Sequence, residues 1–170
     1  MESIKKNFVI EWKGPYYDIQ EIKNEEFQNC FYLLTGLKKY DRGLPEIQYC
    51  GISFSRSIYQ RLLDRGHKQN DIKWEKQIWI GGLSNKRLNT KKNIELVEHL
   101  IIYYWQPILN NKKKHTPPSE PISIINRWKN KKGLFFKKIT YPAQHIDDVI
   151  LFDGKSFWSS NKLKKEREII

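Results

Sequence analysis

Apolar and polar positions alternate along the chain in a way that predicts short strands separated by two helical stretches. Phe8-Val9-Ile10-Glu11-Trp12 reads as a short strand or an extended arm, followed by a turn signal at Lys13-Gly14-Pro15. Asp18 is placed to cap a short helix over 18–28. The continuous apolar and aromatic run 30–34 predicts a buried strand, and the polar, Gly- and Pro-containing stretch 36–46 a hairpin loop. Residues 47–52 form a second strand, close enough in sequence to pair antiparallel with the first. Ser55 or Ser57 can cap a helix running to Arg65, where Gly66 stops it. Residues 77–83 read as a third strand. The clearest helix covers 93–105, where Ile94, Val97, Ile101 and Trp105 recur at helical spacing and Pro107 ends the run. Beyond it lie a charged, proline-rich connector over 111–121 and a hairpin over 149–155. The charged residues from Asn161 onward read as a frayed end.

This order predicts an α+β fold: a small three-stranded, mainly antiparallel sheet flanked by helices, with a small C-terminal β-containing extension. It divides the chain into an N-terminal arm (1–28), a core (29–112) and a basic C-terminal extension (113–170) packing on or beside the core. A length of 170 residues suits one domain with such an extension.

Charge adds a partner class. With 31 Lys+Arg against 19 Asp+Glu, the formal charge is +12. A polyanion gains from such an excess because each neutralised phosphate releases counterions, although a basic protein with no nucleic-acid role has the same arithmetic. Aromatics at 14% supply a core, and some rings could stack on bases. Cys30 and Cys50 make neither a CxxC pair nor a disulfide framework, which argues against a zinc knuckle and for a reducing compartment. The N-terminus carries no cleavage signature, and no apolar run is long enough to span a bilayer. A cytoplasmic protein with no membrane partner is expected.

Glu98 lies on the apolar stripe of the 93–105 helix. An ionised carboxylate there is costly unless it is paired or binds a cation, so it is either a salt bridge or a metal ligand. Pro107 and Asn110 follow it in the pattern Glu98-x₈-Pro107-x-x-Asn110. Upstream, Cys30-Phe31-Tyr32 and Tyr49-Cys50-Gly51 form a pair of Tyr-containing strand motifs, and Arg61-Leu62 lies in the helix after them. In this order the motifs resemble those of the GIY-YIG nuclease superfamily over roughly half the chain, about residues 29–112. Cys30 stands where the family has the first glycine, and Phe31 and Cys50 where it has isoleucines. Gly14-Pro15-Tyr16 and Asn126-Arg127-Trp128 are similar to segments flanking the domain in uncharacterised members.

The resemblance implies a DNA endonuclease dependent on Mg²⁺, with Mn²⁺ as a substitute. Glu98 would hold the metal, Tyr32 act as general base towards water, and Tyr49 position water or substrate. Arg61 would stabilise charge on the phosphate, with Arg56 as the alternative because the spacing from Gly51 is about two residues long. His67 could share the proton traffic, and Asn110 support the site. Each has a plainer reading: core aromatics for the tyrosines, a solvated helix position for Arg61, a surface residue for His67, a turn cap for Asn110. His99, His115 and His145 read as non-catalytic. Lys112, Lys113, Lys114, Arg127 and Lys129, with the basic run to Lys138, could track a phosphate backbone. Trp128, Phe135 and Phe136 among them could stack on unpaired bases or build an accessory core. Two alternatives stay open: a nucleic-acid-binding protein with a decayed site, and an RNA-directed nuclease. The superfamily includes restriction, mobile-element and repair enzymes. A chain this short favours restriction, defence or structure-selective cutting, and a homodimer would go with a restriction enzyme.

Overall fold

The computed structural model describes residues 6–136 and 145–160. Its strands are β1 (Asn7–Tyr16), β2 (Cys30–Lys38), β3 (Glu46–Ser53), β4 (Ile72–Leu83), β5 (Ile122–Lys129), β6 (Val149–Phe152) and β7 (Phe157–Ser160), and its α-helices α1 (Ile58–Leu62) and α2 (Lys91–Trp105). All seven strands join one mixed sheet in the order β3-β2-β4-β1-β5-β6-β7, curled into a half-barrel. Every pairing is antiparallel except that of β1 with β5, which is parallel.

The expected three-stranded sheet flanked by helices is therefore incorrect. β3, β2 and β4 do lie side by side, but β4 does not end the sheet. An open edge at β4 would leave a row of backbone N–H and C=O groups unpaired. β1 fills it, from Ile10 opposite Leu83 to Tyr16 opposite Ile78. β5 then adds to β1, from Asn7 opposite Ser123 to Lys13 opposite Lys129. The predicted arm is thus an interior strand, and the predicted small extension contributes three more strands. Among the described residues the protein is mostly β, with two α-helices.

Aromatic packing fixes β5 beside β1. Trp128 stacks on Trp12 at 5.6 Å between ring centroids and meets Trp79 edge-on at 5.1 Å. Trp12 Nε1 donates to Asn126 Oδ1 (2.8 Å), and Asn126 Nδ2 donates to Asp147 O (2.9 Å). Aromatic pairs of this kind contribute about 0.5–1.5 kcal/mol each beyond their burial. The ion pairs across the same strands are partly exposed, a class whose contribution is about 0–1 kcal/mol. The ring contacts therefore dominate, and the Asn126-Arg127-Trp128 segment is explained by packing.

Strand alternation gives the sheet two different faces. Phe31, Leu33, Cys50 and Trp79 share one apolar cluster with Ile94, Val97 and Ile101 of α2. Cys30, Tyr32, Leu34 and Ile80 share the other with Ile58 and Leu62 of α1. The helices are cut where their caps dictate. Ser57 and Gln60 form a capping box at α1, which ends at Leu62, short of the predicted Arg65. Asp18 caps only a 3₁₀ turn, Ile19–Ile22, in place of a helix to 28. Gln106 takes a left-handed conformation (φ 51°) to end α2 before Pro107. Lys13-Gly14-Pro15 makes an irregularity inside β1, not a turn after it. The predicted C-terminal fraying, from Asn161, lies outside the described residues. No helix among the described residues is long and apolar enough to cross a membrane.

Candidate active site

Tyr32 is fully buried on β2, and its phenolic oxygen lies 2.8 Å from His67 Nε2. His67 caps the 3₁₀ turn Lys68–Asp71, where its Nδ1 accepts the Gln69 backbone N–H at 3.0 Å. An imidazole that accepts at Nδ1 carries its single neutral-state proton on Nε2. His67 is therefore the donor and the Tyr32 oxygen the acceptor. Burial, and then Arg61 beside it, push His67 down to about 4, so the ring is neutral near pH 7. Burial also raises the Tyr32 phenol well above the ordinary tyrosine range, and Tyr49 adds to this, while the Arg61 guanidinium pulls it back.

Tyr49 completes an aromatic trio. Its ring centroid lies 5.9 Å from that of Tyr32 and 5.5 Å from that of His67. Two features of β3 place it. Tyr49 faces Leu34 but Ile47 faces Thr35, so Gln48 is an extra residue in the ladder, a β-bulge. Gln48 holds that bulge by donating Nε2 to Gly36 O at 2.8 Å. Gly51, opposite Tyr32, leaves the space that the phenol ring fills: a Cβ at 51 would lie 2.5 Å from Tyr32 Cζ and Oη.

Arg61 projects from the last turn of α1 and is held by Asp64, with Nη1 2.6 Å from Oδ2. Arg56 grips the same carboxylate with both guanidinium nitrogens, at 3.0 and 2.5 Å. The two arginines together, Arg56 foremost, hold Asp64 below the usual carboxylate range. Arg61 is the cation whose field draws down both phenols. A cleft opens beside these groups, lined by Tyr49, Arg61, Asp64, Arg65, His67 and Lys68. A larger cavity, about 640 Å³, lies elsewhere between Leu44, Ile47, Trp105 and Ile108, and none of the candidate groups lines it.

Glu98 comes from α2, which packs on the other face of the sheet, yet its charge reaches Tyr49. It is buried on α2 at 8% exposure and forms an ion pair with Lys113, Nζ to Oε2 2.5 Å. Burial raises its carboxyl and the Lys113 ammonium lowers it, with burial the larger effect. Asn110 ties this half to the other. Cys50 N–H donates to Asn110 Oδ1 (2.9 Å), and Asn110 Nδ2 donates to Cys50 O (2.8 Å). Leu109 N–H donates to Gln48 O (2.7 Å) on the same strand. The Pro107-x-x-Asn110 segment thus covers the outer edge of β3. Asn110 thereby fixes the β3 backbone at Cys50. Tyr49 stands between the halves: burial raises its phenol, Arg61 lowers it and Glu98 raises it.

Glu98 is a lone carboxylate, and no group of three or more His, Cys, Asp or Glu that could hold a metal occurs among the described residues. That donor chemistry does not suit zinc, which takes three or four protein ligands. It suits Mg²⁺ or Mn²⁺, which accept one or two carboxylates with water completing the shell.

The predicted phosphate-binding residues separate into two kinds. Lys112 is exposed, whereas Lys113 is engaged with Glu98 and Lys114 reaches Ile108 O at 3.5 Å. Arg127 and Lys129 both pair with Glu11, at 3.7 and 2.5 Å. Of the three rings read as stacking platforms, Trp128 is in the core and Phe136 packs on Trp79. Phe135 is exposed at 46%, with the Arg127 guanidinium 4.1 Å above its ring. Lys137 and Lys138 lie outside the described residues. His99 bonds Thr116 O at 2.8 Å. Sequence reasoning missed Asp64 and Gln69. Asp64 follows Arg61 at an i,i+3 spacing that could have suggested it. Gln69 acts through its backbone N–H, which no residue type advertises.

No protein-family model matches the chain, and neither a curated protein nor a solved structure matches it.

Proposed function

We propose that the chain is a divalent-cation-dependent endonuclease that hydrolyses DNA phosphodiester bonds, with chemistry like that of the GIY-YIG nucleases. The observation that carries this reading is the hydrogen bond of buried Tyr32 to His67, which with Tyr49 and Arg61 lines a cleft in front of it.

Each group then has a task. Because His67 donates to Tyr32, the phenol's own proton points away from His67, towards the cleft or Tyr49. Burial opposes ionisation of this phenol; once its proton has passed to solvent by way of Tyr49, the phenolate would be stabilised by His67 Nε2–H and by Arg61 and would take one proton from the attacking water. The water oxygen bonds to phosphorus as the bond to the leaving oxygen breaks. Arg61 stays charged and offers its planar fork to a non-bridging phosphate oxygen. Tyr49 orients the water or the phosphate. Glu98 would hold the divalent cation, which when bound supplies Lewis-acid stabilisation of the leaving oxygen.

The test is cleavage of single-stranded, duplex and branched DNA with Mg²⁺ or Mn²⁺, run beside Tyr32→Phe and Glu98→Ala. Metal-dependent cleavage lost in both variants is expected. Equal cutting by wild type and Glu98→Ala would sink the reading. A second reading, a nucleic-acid-binding protein without catalysis, is favoured by the pairing of Arg61 with Asp64 and of Glu98 with Lys113. It predicts salt-sensitive binding and no cleavage under any of these conditions.

A further inference from the structure

We infer that Lys113 and a divalent cation are alternative partners of Glu98, so that cation entry releases the Lys113 ammonium to a nucleic-acid phosphate. This deepens the proposed role of Glu98 and rests on it. The carboxylate side chain keeps 11% of its surface and the Lys113 side chain 32%, so the acid is interior while the lysine reaches it from outside. Lys113 is not a long surface side chain that happens to fall there. Its loop is fastened before Lys113 by Asn110, which bonds both backbone groups of Cys50, and after it at three points. Gln106 Nε2 donates to Lys114 O (3.0 Å), His99 bonds Thr116 O (2.8 Å), and Lys6 pairs with Glu120 (2.7 Å). Lys113 itself sits at φ 65°, a left-handed conformation that a side chain disfavours. The loop accepts that strain at the residue that brings the ammonium to Glu98.

Lys113 holds only Oε2, but an ammonium and a divalent cation on one carboxylate lie close enough to repel strongly. Binding of the cation therefore weakens the hold of Glu98 on Lys113 and favours its release. The freed ammonium lies between Lys112, which is exposed, and Lys114, which is partly so. Together they make three consecutive cations for a phosphate backbone. By reciprocity, a nucleic acid that takes Lys113 tightens the cation on Glu98 by the same factor. Lys113 thus sets the metal affinity of the DNA-free protein low and couples it to substrate.

The experiment titrates Mn²⁺ alone into the full chain by calorimetry and reads lysine acylation by mass spectrometry. Lys113→Met is expected to bind Mn²⁺ about tenfold more tightly than wild type, within the range usual for coupled sites. In wild type, Mn²⁺ should raise acylation of Lys113 several-fold relative to Lys112 and Lys114. If Lys113→Met fails to fold, the wild-type labelling decides. Labelling that Mn²⁺ does not change overturns the inference, even where Glu98→Gln abolishes Mn²⁺ binding and so upholds the cation role of Glu98. Mn²⁺ binding that survives Glu98→Gln overturns the parent reading and the inference together.

Discussion

His67 faces Tyr32 as a hydrogen-bond donor, because its other nitrogen is already engaged by the Gln69 N–H. The consequence for pH is specific. In the fold His67 sits at about 4, against 6.5 ordinarily. Between these values the unfolded chain binds more protons than the folded one, so stability rises with pH across the window. The contribution is fully present above 6.5 and is lost as pH falls through about 4. Thermal unfolding of wild type should therefore lose Tm from pH 6.5 down to 4 more steeply than His67→Gln, which supplies a donor that does not titrate. Nitrogen NMR should find the proton on Nε2 at pH 7. A proton found on Nδ1 would refute the donor assignment, and a ring that titrates near 6.5 in the folded protein would refute the pH dependence.

Gly51 permits the placement of Tyr32. A methyl group there would overlap the Tyr32 ring and approach Tyr49 Cε1 to 2.8 Å. The ring is in the buried interior and cannot swing out freely. Gly51→Ala should cost about 1–3 kcal/mol of stability, as overpacked sites do. Its effect on cleavage should be larger than on folding, since the phenol moves away from His67. Comparable kcat for Gly51→Ala and wild type, at temperatures where both are folded, would count against Tyr32 as the base.

Asn110 satisfies two buried backbone groups of Cys50 at once. Removing both partners in Asn110→Ala should cost about 2–4 kcal/mol, one to three for each orphaned group with some relaxation. Asn110→Asp keeps the acceptor but sets a carboxylate oxygen against Cys50 O, so it should be no better than alanine. Chemical denaturation measures both. A change below about 0.5 kcal/mol in either would mean that β3 is not tethered this way.

Several of these residues were legible in the sequence and others were not, for physical reasons. Strands 30–34 and 47–52 announce themselves through apolar runs, and the stripe of α2 through its helical spacing. Each is a local pattern. The pairing of β1 with β5 joins Trp12 to Trp128 across more than a hundred residues, and nothing local encodes it. Hence an interior strand reads as an arm. Glu98 stands out as a carboxylate on an apolar face, but its partner Lys113 reads as one of three surface cations. The Asn110 side chain was expected to support the site; its actual partner, a backbone on another strand, has no sequence signature.

Arg56 and Arg61 share Asp64 but should not share a function. Arg61 is the one that acts on both phenols. Arg61→Ala should lower kcat about 10²–10³-fold, the usual loss for a donor that stabilises transition-state charge. Arg61→Lys keeps the charge without the fork and should recover little. Arg56→Ala removes one of two anchors on Asp64 and should cost less than about tenfold. Reversal of that order in single-turnover rates would reassign the arginine.

Basic residues that already have carboxylate partners should contribute little to DNA affinity. Arg127 and Lys129 converge on Glu11, so two positive charges and one negative leave a single net charge on that patch. Lys112 is exposed beside the Glu98 helix. Each phosphate neutralised on duplex DNA contributes about 0.9 to the slope of log affinity against log salt. Lys112→Ala should therefore flatten the slope by about one such contact, whereas Lys129→Ala, which takes its patch from one net positive charge to none, should flatten it by less. Glu11→Gln removes the competing carboxylate and should strengthen binding and steepen the slope. Fluorescence anisotropy over a salt series, in the absence of divalent cations, reads all three. A larger slope change for Lys129→Ala than for Lys112→Ala would place the phosphate track on β5, not beside α2.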